Sequence, residues 1–391
     1  MKLSTLSAGL SACFVSLCAL ASPSTTPGIH LDQSKNILFD QFYTNTFSLQ
    51  VLQSKDQFNS HDLILGGSLQ LDAQHWQGDK IETSTHSIYQ NDSGFYMTQA
   101  TFDMMLNAGR WSTFFVSMTD NYIARGGPGA NYIYFPHAFM TFGNLQEFPA
   151  YTTLGISTIP FGVFAGVGPW DTPLTAAYFN SQQAPQISLA YDEKGLNAVV
   201  TAFSDEANHE NHFAWSVYYN KDGDIFSWSA GAGYLTDLKS NSVGIPAVRR
   251  DDRKRGTPIY DMKGVKDLSG NLRYRQVTLI GEYVRGTKTL GVNHGAPFAY
   301  AISASYTPKI AGKDTTFGLT YSATRQMKDV PASLSGEDGI PLALAGLKSS
   351  WALGVSYPIL KILSLGCEIE KEITYSNKNT YTGTFDVVAY L

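Results

Sequence analysis

Residues 63–72 read LILGGSLQLD, a stretch in which leucines at every second position alternate with smaller or polar residues. Successive residues of a β-strand point to opposite faces of the sheet, so this stretch predicts a strand with one apolar face and one polar face. Such a segment is a weak signal on its own, because a strand that is half exposed in a soluble sheet also alternates. The rest of the chain therefore decides how the strand is used.

The same alternation recurs along the whole chain. It is found at 94–107, 110–120, 132–143, 150–158, 184–192, 195–204, 211–220, 224–235, 263–274, 276–286, 297–307, 314–325, 347–357, 362–373 and 380–391. With the first stretch these segments make about sixteen, and an even number of strands of about ten residues is typical of a transmembrane β-barrel. The sequence predicts an all-β fold, a transmembrane antiparallel β-barrel of about 16 strands over residues 62–391.

The connections between the segments alternate in length. Tight connections fall at 107–110, 192–195, 221–224 and 274–275, and long ones near 75–93, 121–131, 159–183, 236–262 and 326–346. Outer-membrane barrels have short turns on the periplasmic side and long loops outside. This pattern predicts a location in the bacterial outer membrane, with both termini in the periplasm and outer-membrane lipid around the barrel.

Composition narrows the class of protein. The chain has 391 residues, of which 43% are hydrophobic and 16% charged, so it has enough apolar surface to fold. It contains no run of about 18 apolar residues, which excludes a transmembrane helix. A formal charge of −5 gives no basic footprint for nucleic acid, so no nucleic-acid partner is expected.

The first 61 residues do not follow the barrel pattern. Residues 1–21 end in Ala19-Leu20-Ala21 and predict a secretory signal peptide, although Leu10-Ser11-Ala12-Cys13 also has the spacing of a lipoprotein cleavage site. Removal of the signal peptide would leave Cys367 as the only cysteine, so no internal disulfide is expected. Residues 22–61 form an N-terminal periplasmic or lumenal segment, in which a helix, a strand and a lumenal insert all remain open.

Strand parity predicts an acidic wall inside the barrel. In the segment 362–373, leucine and isoleucine share one face and the three glutamates share the other, which should be the lumen. The first, second and last strands add aspartates on their inward faces. The predicted wall consists of Asp72, Asp103, Glu368, Glu370, Glu372 and Asp386. Carboxylates that are merely hydrated, or paired across strands, are the alternative.

Two loops are candidates for contact with a solute. A basic cluster in the loop 236–262 would contact an anionic ligand, or else form a solvated tip or meet lipid phosphates; it contains Arg249, Arg250, Arg253, Lys254 and Arg255. The loop 159–183 is rich in aromatic residues, glycine and proline, and is suited to fold into the pore as a constriction, with external packing as the alternative. Its candidate residues are Phe161, Phe164, Trp170 and Tyr178.

Enzyme signatures are lacking in the sequence. No serine lies in a G-x-S-x-G motif, and no histidine and acid are spaced to suggest a triad. We therefore expect no catalytic site, no cofactor and no metal site.

The middle of the chain resembles the LbtU-type siderophore porin family. The matching stretches are 138–144 (AFMTFGN), 153–155 (TLG) with 159–162 (IPFG), and 168–175 (GPWDTPLT). The resemblance implies about sixteen strands and passive, plug-independent uptake of a ferric siderophore. Three alternatives stay open: a general or an anion-type diffusion porin for small solutes, and a non-conducting outer-membrane adhesin. A homo-oligomer is compatible with each of them.

Overall fold

Sixteen long strands account for most of the chain that the computed structural model describes. The described residues are 29–31, 47–54, 58–79, 81–82, 87–88, 91–121, 133–164, 173–180, 183–204, 211–238, 261–290, 296–328 and 346–390. The strands are β1 (Leu63–Gly78), β2 (Asn91–Asn107), β3 (Ser112–Asn121), β4 (Tyr134–Gly143), β5 (Ala150–Thr158), β6 (Gln183–Glu193), β7 (Leu196–Ser204), β8 (Asn211–Lys221), β9 (Phe226–Asp237), β10 (Asp261–Tyr274), β11 (Val277–Arg285), β12 (Phe298–Tyr306), β13 (Thr316–Arg325), β14 (Leu347–Leu360), β15 (Leu363–Thr374) and β16 (Asn379–Tyr390).

Each strand pairs antiparallel with its neighbours along the chain, and the first strand pairs with the last. The β1–β16 register runs from Ser68↔Tyr390 to Gly78↔Thr380. Since β1 also pairs with β2 through its other edge, the sheet closes on itself. Closure matters physically, because an open sheet would leave a row of unpaired backbone groups along each edge. The predicted all-β class and the sixteen-stranded antiparallel barrel are confirmed.

Connection length separates the two ends of the barrel. The turns after even-numbered strands include residues 194–195, 275–276 and 361–362, and we call their end of the barrel the short-turn rim. Most connections at the opposite end are longer, and we call it the long-loop rim. The connection 375–378 is a short exception there. Leu63 and Tyr390, where the barrel begins and ends, both lie at the short-turn rim.

The first long connection is shorter than the sequence pattern predicts. It spans residues 79–90 rather than 75–93, because β1 continues to Gly78 and β2 begins at Asn91. The extension arises because Gln74 to Gln77 still find ladder partners on both β2 and β16. The wall formed by β1, β2 and β16 is therefore taller than the alternation alone indicates.

Shorter elements complete the fold. Residues Ile29–Leu31 pair in parallel with Leu63–Leu65 of β1. They use the same edge of β1 as β16, whose pairing begins only at Ser68. The described residues include two helices, α1 (Phe47–Ser54) and α2 (Leu174–Phe179). Within the described ranges, no helix combines the length and hydropathy that a membrane crossing requires.

Candidate functional site: the barrel lumen

The two faces of the barrel wall differ in polarity. On β6, Ile187 and Leu189 point outward and are 59% and 63% exposed, whereas Gln186 and Ser188 face inward and are buried. Hydroxyl groups of neighbouring strands meet on the inner face: Ser188 with Thr201 at 2.9 Å, Ser303 with Thr320 at 2.9 Å, and Ser322 with Ser350 at 2.7 Å. A polar interior with an apolar exterior is the arrangement of a barrel that lies in lipid.

The connection between β5 and β6 spans residues 159–182, and we call it the inward loop. Its described parts, residues 159–164 and 173–180, lie in the lumen. Phe161 is fully buried and packs over β9, where a Cβ atom on Gly233 would lie 3.2 Å from its ring. The Tyr218 hydroxyl of β8 donates a hydrogen bond to the Gly162 carbonyl at 3.1 Å. Tyr218 itself lies over Gly231, where any Cβ would collide with its ring. Glycines on the inner face of β9 thus make room for the loop.

Glu282 on β11 holds the first part of the inward loop. Its Oε1 atom accepts hydrogen bonds from the backbone N–H groups of Val163 and Phe164, at 2.6 and 2.9 Å. The two donors come from adjacent residues, so a single carboxyl oxygen fixes the direction of the chain at this point. The Asp267 side chain lies beside it on β10, where Ser269 is the cross-strand partner of Glu282.

The second part of the inward loop is fixed through α2. The Leu174 N–H donates to the Ser322 Oγ of β13 at 3.0 Å, and the Leu347 N–H of β14 donates to the Tyr178 hydroxyl at 2.6 Å. Tyr178 is completely buried, and this burial raises the pKa of its hydroxyl. The second described part of the loop is therefore anchored on the wall opposite β5.

Complementary side-chain volumes explain why α2 fits against that wall. Large residues of the helix, Leu174, Tyr178 and Phe179, are buried in one apolar cluster. The facing strands carry small residues on their inner faces: Ala299, Ala301, Ser303, Thr320, Ser322, Ser350 and Ala352. Because protein interiors pack densely, small wall residues create the space that a helix with bulky side chains fills.

The helix α1 occupies the lumen near the short-turn rim. Its Phe47 and Val51 pack on inward residues of β1 to β4, including Phe115 and Phe139. The opposite face of the helix packs on Tyr151, Ala190 and Val199 through Leu49 and Leu52. A helix that is buried on both sides is enclosed rather than surface-bound. Of the alternatives for residues 22–61, this part of the segment forms a helix among inward-facing side chains.

The six predicted wall carboxylates all lie on the inner face and are almost completely buried. Asp72 and Asp386 are direct cross-strand partners. Glu368, Glu370 and Glu372 follow one another along β15, and the Thr380 hydroxyl donates to Glu372 Oε2 at 3.1 Å. The structure therefore brings five of the six onto the adjacent strands β15, β16 and β1. Asp103 lies on β2, opposite Gly66.

Other predicted residues have different outcomes. Phe161, Phe164 and Tyr178 of the candidate constriction are buried within the lumen, whereas Trp170 lies outside the described residues. The basic cluster Arg249, Arg250, Arg253, Lys254 and Arg255 also lies outside them, so its contact with a ligand stays a prediction. Across the described ranges, no group of three or more His, Cys, Asp or Glu side chains is arranged to hold a metal ion.

Sequence reasoning missed the two inward acids Asp267 and Glu282. Their parity on β10 and β11 was available as a signal, since each alternates with outward residues such as Leu268 and Tyr283. What parity does not reveal is the partner, because the donors to Glu282 come from a loop more than a hundred residues away in sequence.

Comparison with known proteins gives a family and a fold. The family model "Protein of unknown function (DUF3573)" matches residues 33–256. A UPF0422 protein of Coxiella burnetii (strain RSA 493 / Nine Mile phase I) is 26% identical over 322 residues, covering 78% of this chain and 64% of that protein. The chain thus spans less than two thirds of that relative's length.

Solved structures with a similar fold are outer-membrane proteins. A loop L8 deletion mutant of OmpT from Vibrio cholerae superposes with a TM-score of 0.54 at 12% identity, over 85% of this chain and 100% of that one. The outer membrane channel DcaP of Acinetobacter baumannii gives 0.52 at 12% identity, over 85% and 98%. At such identities the similarity establishes a porin-like barrel fold.

Proposed function

We propose that this chain, which belongs to the DUF3573 family of proteins of unknown function, is a passive diffusion channel of the bacterial outer membrane. The observation that carries the proposal is the closed sixteen-stranded ring with a polar inner face and an apolar outer face. An outward apolar surface suits lipid, and a polar bore suits water and solutes. The short-turn rim, where the barrel begins and ends, faces the periplasm in this proposal.

The inward loop is the constriction of this channel. It is anchored to the far wall by Glu282, Ser322 and the Leu347 N–H, so it narrows the bore at a fixed place. The helix α1 packs on the opposite wall and narrows the bore near the short-turn rim. The eight-residue helix is far smaller than a folded plug domain, which supports passage that does not depend on energy coupling.

The buried carboxylates of β15, β16 and β1 form an acidic wall that favours cations. Charges that line a narrow pore set its ion preference, because they concentrate counter-ions in a region of low dielectric constant. This wall argues against an anion-type porin.

Neutralising part of the acidic wall tests this role. In planar bilayers, the wild-type chain is expected to conduct in discrete steps and to prefer cations. The triple variant Glu368→Gln, Glu370→Gln, Glu372→Gln is expected to lower the cation-to-anion permeability ratio by on the order of twofold or more. The reversal potential in a salt gradient measures this ratio. An unchanged reversal potential would contradict the role of the acidic wall in ion preference. A folded wild-type protein that gives no conductance steps would contradict the proposed channel function.

The solute in this proposal is a ferric siderophore. Its support is the resemblance of residues 138–144, 153–162 and 168–175 to the LbtU-type siderophore porins; the last two stretches belong largely to the inward loop and the strand before it. The solute would thus meet the part of the chain that carries the resemblance.

Growth under iron starvation tests the solute. A deletion strain supplied with its siderophore is expected to take up iron more slowly than the wild type, and expression of the chain is expected to restore the rate. The rate of uptake of an unrelated small sugar serves as the control. Equal siderophore uptake in both strains contradicts the siderophore assignment, while step conductance of the purified chain would still support a general diffusion porin.

A further inference from the structure

Three cations form a row on the outer face of the barrel at the long-loop rim. Lys266 of β10 and Arg285 of β11 are direct cross-strand partners. Arg285 is paired with Phe298 of β12, and Phe298 in turn with Arg325 of β13. All three cationic side chains are exposed, and the residues beside them in sequence, such as Asp267 and Val284, face inward. We call Lys266, Arg285 and Arg325 the cation row.

The cation row has no protein counter-charge in the part of the chain that the structure describes. None of its members makes an ion pair or a hydrogen bond there, whereas exposed cations at the short-turn rim do: Lys194 is paired with Glu193 at 2.8 Å, and Arg110 with Glu147. Like charges placed directly opposite each other on a sheet destabilise it. A bound anion would relieve this repulsion between Lys266 and Arg285.

The surface next to the row is aromatic and then apolar. Tyr283 and Tyr300 are cross-strand partners on the outer face, two residues nearer the middle of the barrel than Arg285 and Phe298. The Tyr283 and Phe298 ring centroids lie 5.4 Å apart. Further along, Ile302 and Leu319 are exposed outward. A ligand that satisfies all of these groups has an anionic head at the cations and apolar chains along the strands.

The depth of the row agrees with a position at the membrane surface. A cation on the lipid face of a barrel costs about 2–4 kcal/mol at the bilayer midplane but only about 0–1 kcal/mol near the interface. Aromatic rings mark the interface in such barrels, and Tyr283, Tyr300 and Tyr321 lie just inside the row. The cations therefore reach the level of lipid head groups.

We propose that Lys266, Arg285 and Arg325 bind the phosphate of an anionic membrane lipid in the leaflet on the long-loop side. The inference rests on the proposed function only in that it places the barrel in a bilayer. Guanidinium groups suit phosphate because they donate two parallel hydrogen bonds, and the lysine adds a point charge. The acyl chains of the same lipid lie along the apolar strip below the tyrosines.

Native mass spectrometry of the full chain in a non-ionic detergent tests this site. The probe is dioleoyl phosphatidic acid, compared with dioleoylglycerol, which lacks the phosphate, and with inorganic phosphate, which lacks the chains. Each basic residue near a lipid surface contributes about fivefold to affinity, so the variant Lys266→Gln, Arg285→Gln, Arg325→Gln is expected to bind phosphatidic acid about a hundredfold more weakly. The single variant Arg285→Lys keeps its charge and is expected to lose at most about fivefold.

The matched control removes the same charge at the other rim. The variant Lys221→Gln, Lys309→Gln, Lys361→Gln changes three exposed lysines at the short-turn rim and is expected to bind like the wild type. Equal weakening in the control, equal binding of dioleoylglycerol, or displacement of the lipid by inorganic phosphate would each overturn the lipid site.

Conductance separates this test from the test of the channel. The bilayer steps of the cation-row variant are expected to match the wild type, which also shows that the variant is folded. If the wild-type steps are present and phosphatidic acid does not bind, the lipid site fails while the channel stands.

Discussion

Replacing Glu282 with alanine is expected to raise single-channel conductance by about twofold or more, because the substitution frees the loop that narrows the bore. The carboxyl group holds the Val163 and Phe164 N–H groups at 2.6 and 2.9 Å. A hydrogen bond contributes about 0.5–1.5 kcal/mol, so loss of both is expected to weaken docking of the loop by on the order of 1–3 kcal/mol. Planar-bilayer recording should show larger steps with more current noise.

Two variants serve as controls for Glu282→Ala. Ser322→Ala removes a neutral hydrogen bond from the Leu174 N–H and a hydroxyl contact with Ser350 within the wall, so only one of its lost contacts holds the loop, and it is expected to have a smaller effect. Asp222→Ala removes an exposed carboxyl group in the turn after β8, away from the Glu282 contacts and from the acidic wall, and is expected to leave the step size close to the wild type. If Glu282→Ala behaves like Asp222→Ala, the inward loop is not the constriction.

Introducing a charge into α1 is expected to open the other narrow part of the lumen. Val51 is fully buried against Ile64, Met105 and Phe115. The variant Val51→Asp would bury a carboxylate without a partner, at a cost of about 3–5 kcal/mol, so the helix is expected to leave its site. Conductance should rise, and the temperature at which the barrel unfolds in detergent should fall only slightly, because the barrel strands keep all their ladder partners.

The control for Val51→Asp lies on the same helix. Gln53 is exposed, so Gln53→Asp adds the same charge without burying it and is expected to change neither conductance nor stability. The variants Val51→Asp and Glu282→Ala act on separate apolar clusters, and their conductance gains are expected to combine. Equal conductance of Val51→Asp and Gln53→Asp would show that α1 does not limit flow.

The barrel was predictable because its signal is local. Alternation with a period of two assigns both the strand and the face of each residue, as in β15, where Ile369 is 64% exposed outward and Glu368 and Glu370 are turned inward. Parity also gave the inward side of Asp72 and Asp386, and closure brought them together as cross-strand partners.

The contents of the lumen were much less predictable, because they depend on contacts between distant parts of the chain. The helix α1 is apolar on both of its sides and lacks the one-sided stripe of an amphipathic helix, so its pattern did not identify it. Its apolar wall partners, such as Phe115 and Phe139, interrupt the polar inner face, and this interruption is the signal that an insert covers them. The partners of Glu282 are backbone groups, which no side-chain pattern records.

Thiol labelling along β15 tests the central claim most directly, because it measures which positions of the strand are accessible from water. Cys367 is exposed on the outer face, and substitutions Glu368→Cys, Ile369→Cys and Glu370→Cys in a Cys367→Ser background continue the series. In lipid vesicles, a small charged thiol reagent is expected to label positions 368 and 370, where cysteine leaves free the space that the larger glutamate side chain fills, and to spare 367 and 369. Equal labelling of all four positions, or labelling of 367 and 369 alone, would contradict a watery bore inside an apolar barrel.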